Sequence, residues 1–404
     1  MNLMSVYDRL PVFAQNIAFS YMGGRIQRTR FGKGFGKMLT EFESHSGWSR
    51  DQLISWRNER LREIAVHCYE TVPFYRGVMD EGGINPASIK DEESLKALPI
   101  ITKADVKANP SAFVSSKTRE MNTLHVHTSG TTGSGFQFDS TVDCQQAQFA
   151  CFWRYYRSHG LDLGTWQAQF SSRQAVPQRV CTPPFWRIDK PGRRYYMSAF
   201  HESPANMRAY YNVICENRFP WISGYPSLMV LLAQWMNERD LSFDFVKAVT
   251  CGAENLLEHQ ADAMERAFGV RPVQTYGQTE NVAVFSQAPD GRILVDEDFS
   301  VVEFQSDAVG GGFVLWVPAC SITRRRFCAT TRATLCGWAI RMGRDERWLL
   351  STAAARTTSI YRVARRSGSS TMSSRTRRTS RKPRFIRRQI IPCAFVLWES
   401  RIYA

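Results

Sequence analysis

Behind Ser49, apolar residues recur at helical spacing: Leu53, Trp56, Leu61, Ile64, Ala65 and Cys68 form one stripe, and Ser49 with Gln52 makes a capping box. This pattern predicts a helix packed against the first core of the chain. Pro73-Phe74-Tyr75-Arg76 is expected to end it, and Gly82-Gly83 to open a turn. Upstream, residues 1–48 hold no sustained period, and both Gly23-Gly24 and the GKGFGK run over 32–37 read as surface turns.

Further along, residues 123–127 and 135–138 read as short strands on either side of a glycine-rich stretch, and 148–160 as an aromatic-rich helix ending at Gly160. The prolines in 170–190 exclude a long helix there. Ser203 before Pro204 signals a helix start, with Met207, Tyr210 and Ile214 on one face. The run 221–236 gives a turn at Gly224-Tyr225-Pro226-Ser227 and then an apolar helix through Trp235 and Met236. VKAVT reads as a strand, LLEHQADAMERAF as a helix stopped by Gly269, and PVQTY as the next strand, followed at once by Gly277-Gln278-Thr279-Glu280. Two strand ends that deliver loops to one side are the arrangement in which open α/β sheets bind ligands.

Composition narrows the class. At 404 residues with 43% apolar content, the chain can bury two or three substantial cores. No uncharged apolar run reaches 18 residues and the opening MNLMSVYDRLPVF has no signal core, so a cytoplasmic location without transmembrane segments is the expectation. The ten cysteines form no tight CxxC pair and read as mostly reduced thiols. The formal charge of +15 is unevenly placed, because residues 306–404 hold 19 Arg and 1 Lys against Asp307, Asp345, Glu346 and Glu399. Residues 1–305 are near neutral, and no specific nucleic-acid partner is expected for them.

HTSGTTGSG, residues 127–135, is the densest candidate chemistry. Its glycines let successive backbone N–H groups turn inward, and its small hydroxyl side chains add donors, a combination suited to cradling a phosphate chain. The Gly-Lys-Ser/Thr ending of a Walker A loop is absent. TSGTTGSG resembles the phosphate loop of the acyl-adenylate-forming enzymes, in the branch of phenylacetate–CoA ligase, coenzyme F390 synthetase and the capsular polysaccharide proteins of the CapK type. CGAE over 251–254 and YGQTE over 276–280 resemble two further motifs of that superfamily, and the GYPS segment its Gly-x-Pro-Ser element.

The resemblance implies an α/β fold, the large domain of a multi-subdomain adenylate-forming enzyme. It implies ATP and Mg²⁺ as cofactors, a small carboxylic acid as substrate, and CoA or another acyl acceptor. Thr128, Ser129, Gly130, Thr131, Thr132 and Gly133 would hold the phosphates; Gly252, Ala253 and Glu254 would line the adenine pocket. Tyr276 would stack beside the base, with Gly277 next to it, and Thr279 would contact the α-phosphate region. Glu280 would help hold Mg²⁺, a hard cation that prefers carboxylate oxygen. Gly224, Tyr225 and Pro226 would belong to the acid pocket. FSSRQAVP with PPFWR points toward the capsular polysaccharide relatives, and so to surface polysaccharide biosynthesis.

The resemblance covers roughly residues 10–305, divided into a helical and α/β portion over 1–122 and a nucleotide- and acyl-binding portion over 123–305. Beyond it, the expected Arg-Thr-Gly-Asp ribose motif and a small C-terminal domain with a catalytic Lys are missing or scrambled. Abrupt loss of motifs, residue mix and charge balance favours a frameshift near codon 305–320, leaving an inactive nucleotide-binding remnant as one outcome. A basic tail that binds nucleic acid through phosphates is the alternative from another class.

Overall fold

The computed structural model describes residues 3–99, 101, 103–127 and 137–306, together with the backbone of 313–316 and 340–341. The expected Thr128–Gly133 loop lies outside the described residues, as does nearly all of 306–404. The helices are α1 (Leu3–Tyr7), α2 (Val12–Arg30), α3 (Phe35–Ser44), α4 (Arg50–Thr71), α5 (Pro73–Glu81), α6 (Glu92–Leu95), α7 (Lys103–Ala108), α8 (Val142–Ser158), α9 (Met207–Asn217), α10 (Pro226–Asn237) and α11 (Glu258–Phe268). Strands β1 (Thr123–His127) and β2 (Gln137–Thr141) form an antiparallel pair. A large sheet takes β3 (Gln167–Ser171), β4 (Trp186–Asp189), β5 (Arg194–Ser198), β6 (Trp221–Gly224), β7 (Ala248–Cys251), β8 (Val273–Gly277), β9 (Val284–Gln287) and β10 (Ile293–Val295). A small antiparallel sheet of β11 (Glu303–Ser306), β12 (Phe313–Trp316) and β13 (Ile340–Arg341) follows.

The large sheet runs β10-β9-β8-β7-β6-β3-β5-β4, with β5, β3, β6, β7 and β8 parallel and the outer strands antiparallel. The chain leaves β3 toward β5 on one side and returns through α9 to β6 on the other. One face carries α9, α10 and α11 over a core that includes Phe170, Tyr210, Ile222, Met229, Val249 and Phe268. The opposite face is covered by α8, backed by α3, through Leu39, Phe42, Ala147, Trp153, Trp221 and Phe299. This is the α/β architecture expected of an adenylate-forming large domain. Among the described residues no helix is long and apolar enough to cross a membrane.

The capping box predicted before α4 is present: the Ser49 hydroxyl accepts from Gln52 N, and the Gln52 side chain accepts from Ser49 N. Four expectations need correction. Residues 1–48 are chiefly helical, and Gly23-Gly24 lie inside α2 rather than in a turn; a Cβ on Gly23 would come within 2.0 Å of Asp189 Oδ1, so the glycine allows close approach to β4. Pro73 occupies the first turn of a new helix, where its missing N–H costs nothing, and so begins α5 after α4 has ended at Thr71. The aromatic helix starts at Val142, because the Thr141 hydroxyl accepts from Cys144 N and caps it there. Ser203 and Pro204 sit in a turn, with the Asn206 and Met207 amides donating to Ser203 O, and α9 begins only at Met207.

A buried ion cluster fastens α8 to the segment after β10. Arg154 donates to Asp296 Oδ1 at 2.8 Å and to Asp298 at 2.5 and 2.9 Å, and His45 Nδ1 lies 2.8 Å from Asp298 Oδ2. Burial pushes the Asp296 carboxyl up to about 6 although Arg154 adjoins it. Burial acts the same way on Asp298, but Arg154 and His45 outweigh it and hold that carboxyl below its ordinary value. Asp296 binds its proton more tightly folded than unfolded, so its stabilisation is complete below the unfolded value of 3.8 and is lost as pH rises through about 6. Asp298 has the opposite sign. In urea unfolding, the stability of the wild type relative to Asp296→Asn should fall between about pH 4 and pH 6 and level off above; a difference constant across that range would refute the assignment.

Candidate functional site

The cavity between the sheet and α8, about 300 Å³, is built by strand alternation. Gln167, Gln169 and Ser171 of β3, Arg194 and Tyr196 of β5, Trp221 and Ser223 of β6, Thr250 of β7, and Thr275 and Gly277 of β8 all face it. Their neighbours Ala168, Phe170, Met197, Ile222 and Val249 point the other way into the helix-covered core. α8 supplies Gln148, Phe149, Phe152, Trp153 and Tyr156 as the roof, and Gln27 and Arg30 of α2, with Phe31 just beyond its end, add the side.

The register lays these side chains out in rows. Arg194, Gln167 and Trp221 are cross-strand neighbours, and so are Tyr196, Gln169, Ser223 and Thr250. Ser223 Oγ donates to Gln167 Oε1 at 2.5 Å and Trp221 Nε1 to Thr250 Oγ1 at 2.8 Å. Arg30 lies over the Phe149 ring at 4.3 Å, and Arg194 Nη1 donates to Gln169 Oε1 at 3.3 Å. Burial raises the Tyr156 hydroxyl to about 12, with Arg194 and Arg30 acting in the opposite sense.

At the C-terminal ends of the strands the cavity is walled by Gly224, Tyr225, Gly252, Ala253, Gly277, Gln278, Thr279 and Asn281. Six of these were expected site residues, gathered from three separate motifs. Gly224 has φ 144, and a Cβ there would stand 1.9 Å from Phe170 O, so only glycine lets β6 pass into Tyr225 beside β3. Ala253 (φ 66) and Asn281 (φ 56) are left-handed residues with side chains, a local strain concentrated at this rim.

The other expected residues surround the rim without lining the cavity. Glu254 Oε2 accepts from Ser227 N at 3.2 Å, which ties the CGAE turn to the first turn of α10 beside buried Pro226. Tyr276 stacks on Phe285 at 5.0 Å and its hydroxyl accepts from Gln278 Nε2 at 2.5 Å, while Gln278 Oε1 is buried with no hydrogen-bond partner among the described residues. Glu280 is half-buried in the loop just after Thr279.

The loop after YGQTE is tied to the strand pair that flanks the glycine-rich stretch. Asn281 Nδ2 donates to Ser140 Oγ at 3.2 Å, joining the loop after YGQTE to β2, and Gln148 Nε2 donates to Gln278 O at 2.8 Å. The β1–β2 register places His127 opposite Gln137, so both stems of the glycine loop are anchored at this side. The arrangement can hold a polyphosphate at the strand ends and an acid below it. No cluster of three or more metal-ligating side chains occurs among the described residues.

Sequence reasoning missed the deep wall: Gln27 and Arg30 of α2, Gln167 and Gln169 of β3, and Arg194 of β5. A readable signal existed in QAQFS, since a parallel strand covered on both faces is ordinarily apolar throughout. Polar residues alternating there mark a face that does not pack.

No family model matches the chain. In sequence it is 21% identical over 299 residues to Protein CapK of Staphylococcus aureus, a match covering 74% of this chain and 65% of that protein. It is 34% identical over 85 residues to a phenylacetate-coenzyme A ligase of Thermus thermophilus, covering 21% of this chain and 19% of that ligase. The chain thus matches under two thirds of the length of these curated relatives. Among solved structures, 2-hydroxyisobutyryl-CoA ligase in complex with 2-HIB-AMP and CoA in the thioesterification state superimposes with TM-score 0.51 at 17% identity, covering 72% of this chain and 63% of that one. The same ligase in the postadenylation state with 2-HIB-AMP gives 0.50 at 16% identity, covering 72% and 67%. The fold is therefore shared with an acyl-CoA ligase, and the resemblance to the phenylacetate–CoA ligase and CapK-like branch is borne out.

Proposed function

We propose that this chain is built to activate a carboxylic acid with ATP, forming an acyl-adenylate and pyrophosphate, for transfer to CoA or another acceptor. The observation that supports this most is the convergence of GYPS, CGAE and YGQTE on one rim, hydrogen-bonded to the strand that carries the TSGTTG loop. ATP supplies the leaving group and the electrophilic phosphorus.

The chain's residues divide the remaining work. Thr128, Ser129, Gly130, Thr131, Thr132 and Gly133 would hold the phosphates, a task suited to backbone N–H and hydroxyl donors. Gly252, Ala253, Glu254 and Tyr276 would take the adenine, and Thr279 would contact the α-phosphate region. Glu280 would help hold the Mg²⁺ that neutralises the phosphates. Gly224 and Tyr225, backed by buried Pro226, would set the mouth of the acid cavity and so orient the carboxylate. Surface polysaccharide biosynthesis is the role that the similarity to CapK favours.

Equilibrium titration of the full chain with ATP and Mg²⁺ should show one saturable site, with hydrogen-exchange protection at 128–136 and 276–281. Thr279→Val should weaken it about tenfold or more, the loss of one hydrogen bond to a charged group. Absence of saturable ATP binding, or protection confined to other segments, would rule the reading out.

A further inference from the structure

The side of α2 that faces away from the protein is apolar. Phe13, Ile17 and Tyr21 are 68%, 66% and 63% exposed, more than any other large apolar side chain among the described residues. They fall on successive turns of the helix, and exposed Arg28 continues the same row two turns on. The opposite side, Gln15, Phe19, Gly23, Ile26 and Arg30, is buried. Asn16 Oδ1 accepts from Ile188 N at 3.1 Å and Ser20 Oγ donates to Ile188 O at 2.9 Å, so α2 is fastened along β4, the edge strand of the large sheet. The apolar ridge is therefore a fixed part of the folded surface, and a contiguous ridge of this kind marks an interaction site.

Charge around the ridge is mostly of one sign. From Arg9 to Thr40 the chain carries six Lys or Arg and no acid, with Asp8 and Glu41 bounding the stretch. Residues 171–201, which include β4 and the turn after it, add six more against Asp189 alone, and Asp189 is 2% exposed. These residues adjoin the helix: Arg179 donates to Asp8 O at one end, and Lys190 N donates to Ser20 Oγ at 3.2 Å near the middle. Arg9, Arg28, Lys33, Arg179, Lys190 and Arg193 are all exposed. This placement selects among occupants. An antiparallel two-fold contact between two copies centred on Ile17 would set Phe13 against Tyr21 but Arg9 against Arg25, so like charges would meet. Residues 306–404, with 19 Arg and 1 Lys against four acids, carry the same sign as the face. The partner that fits is anionic and accepts an apolar ridge.

We infer that the outward face of α2 docks on an anionic lipid bilayer, with Phe13, Ile17 and Tyr21 among the headgroups and upper acyl chains and the surrounding Lys and Arg on lipid phosphates. A helix that lies in the membrane plane takes its affinity from buried apolar area together with charge attraction, and both are present on this one face. Tyr21 suits the boundary, since its ring is apolar and its hydroxyl can stay in water. The inference stands independently of acid activation, because no residue of the ridge lines the cavity.

The test is sedimentation of the full chain with vesicles of phosphatidylcholine containing about one-third phosphatidylglycerol, against vesicles of phosphatidylcholine alone. The chain should bind the anionic vesicles at least about tenfold more tightly. Because residues 306–404 are basic themselves, the deciding comparison is between ridge variants that share them. Phe13→Ser combined with Ile17→Ser should weaken binding to the anionic vesicles about tenfold or more, and Arg28→Gln about fivefold. Ile17→Trp, which keeps the ridge apolar, should retain binding and add fluorescence that phosphatidylcholine brominated on its acyl chains quenches beyond the quenching of the wild type. No vesicle binding by the wild type, undiminished binding by the folded serine variant, or no added quenching in Ile17→Trp each overturns the inference. Self-association that the serine variant loses, without vesicle binding, would make the face a contact between copies; salt-sensitive capture of single-stranded RNA without vesicle binding would make it a nucleic-acid surface. Either result also overturns the inference.

Discussion

Arg154→Leu is expected to destabilise the fold by about 3–5 kcal/mol, the cost typical of removing one partner from a buried ion cluster. The guanidinium of Arg154 donates to Phe42 O at 3.0 Å, to Asp296 at 2.8 Å and to Asp298 at 2.5 and 2.9 Å. Without it, two buried carboxylates face each other with Ser286 Oγ and His45 as their remaining side-chain partners among the described residues. Arg154→Lys should recover little, because one ammonium cannot span both acids and the carbonyl. Urea unfolding followed by tryptophan fluorescence measures the change at constant m-value. A loss under about 1 kcal/mol would show that the cluster does not hold α8. The consequence reaches the cavity, since the other face of α8 is its roof.

Replacing residues 306–404 by the product of a reading frame that restores Arg-Thr-Gly-Asp and a late Lys is expected to raise acid-dependent ATP–pyrophosphate exchange by at least about a hundredfold. Each oriented donor at a developing charge contributes on the order of 10²–10³ in rate. The stretch as it stands carries 19 Arg and 1 Lys in 99 residues, a composition foreign to the preceding 305. Sequencing the coding DNA from codon 290 in all frames comes first, and exchange is then measured on the original and repaired chains side by side. If no frame restores those motifs, or if the repaired chain exchanges no faster, the frameshift account is wrong. Salt-sensitive nucleic-acid binding that vanishes on deleting 306–404 would then identify the tail as a functional basic segment.

Local signals with a single physical cause were legible. Ser49 and Gln52 close a capping box, Gly269 at φ 78 stops α11, and CGAE and YGQTE fall at strand ends as their flanking runs require. Helix α2 was illegible for an equally physical reason. It buries Gln15, Phe19, Gly23, Ile26 and Arg30 while Phe13, Ile17 and Tyr21 are exposed, so apolar periodicity points to the wrong face. Its polar residues are held by long-range bonds: Arg187 Nε donates to Gln15 Oε1 at 2.6 Å, and Ile188 N to Asn16 Oδ1 at 3.1 Å. Partners some 170 residues away leave no trace in a local window. The deep wall of the cavity was hidden likewise, because the row Arg194, Gln167, Trp221 exists only once the strand order is known.

Strand alternation has a consequence for how such a protein can change over generations. Within β3, β5, β6 and β7, the residues that meet a ligand and those that seal the helix-covered core are different residues on opposite sides of one backbone. Natural variation at Gln167, Gln169, Tyr196, Ser223 or Thr250 can therefore reshape the cavity while Ala168, Phe170, Met197, Ile222 and Val249 keep the scaffold intact. A lineage built this way diversifies its chemistry by drift on one side of a sheet, without first having to reinvent the fold.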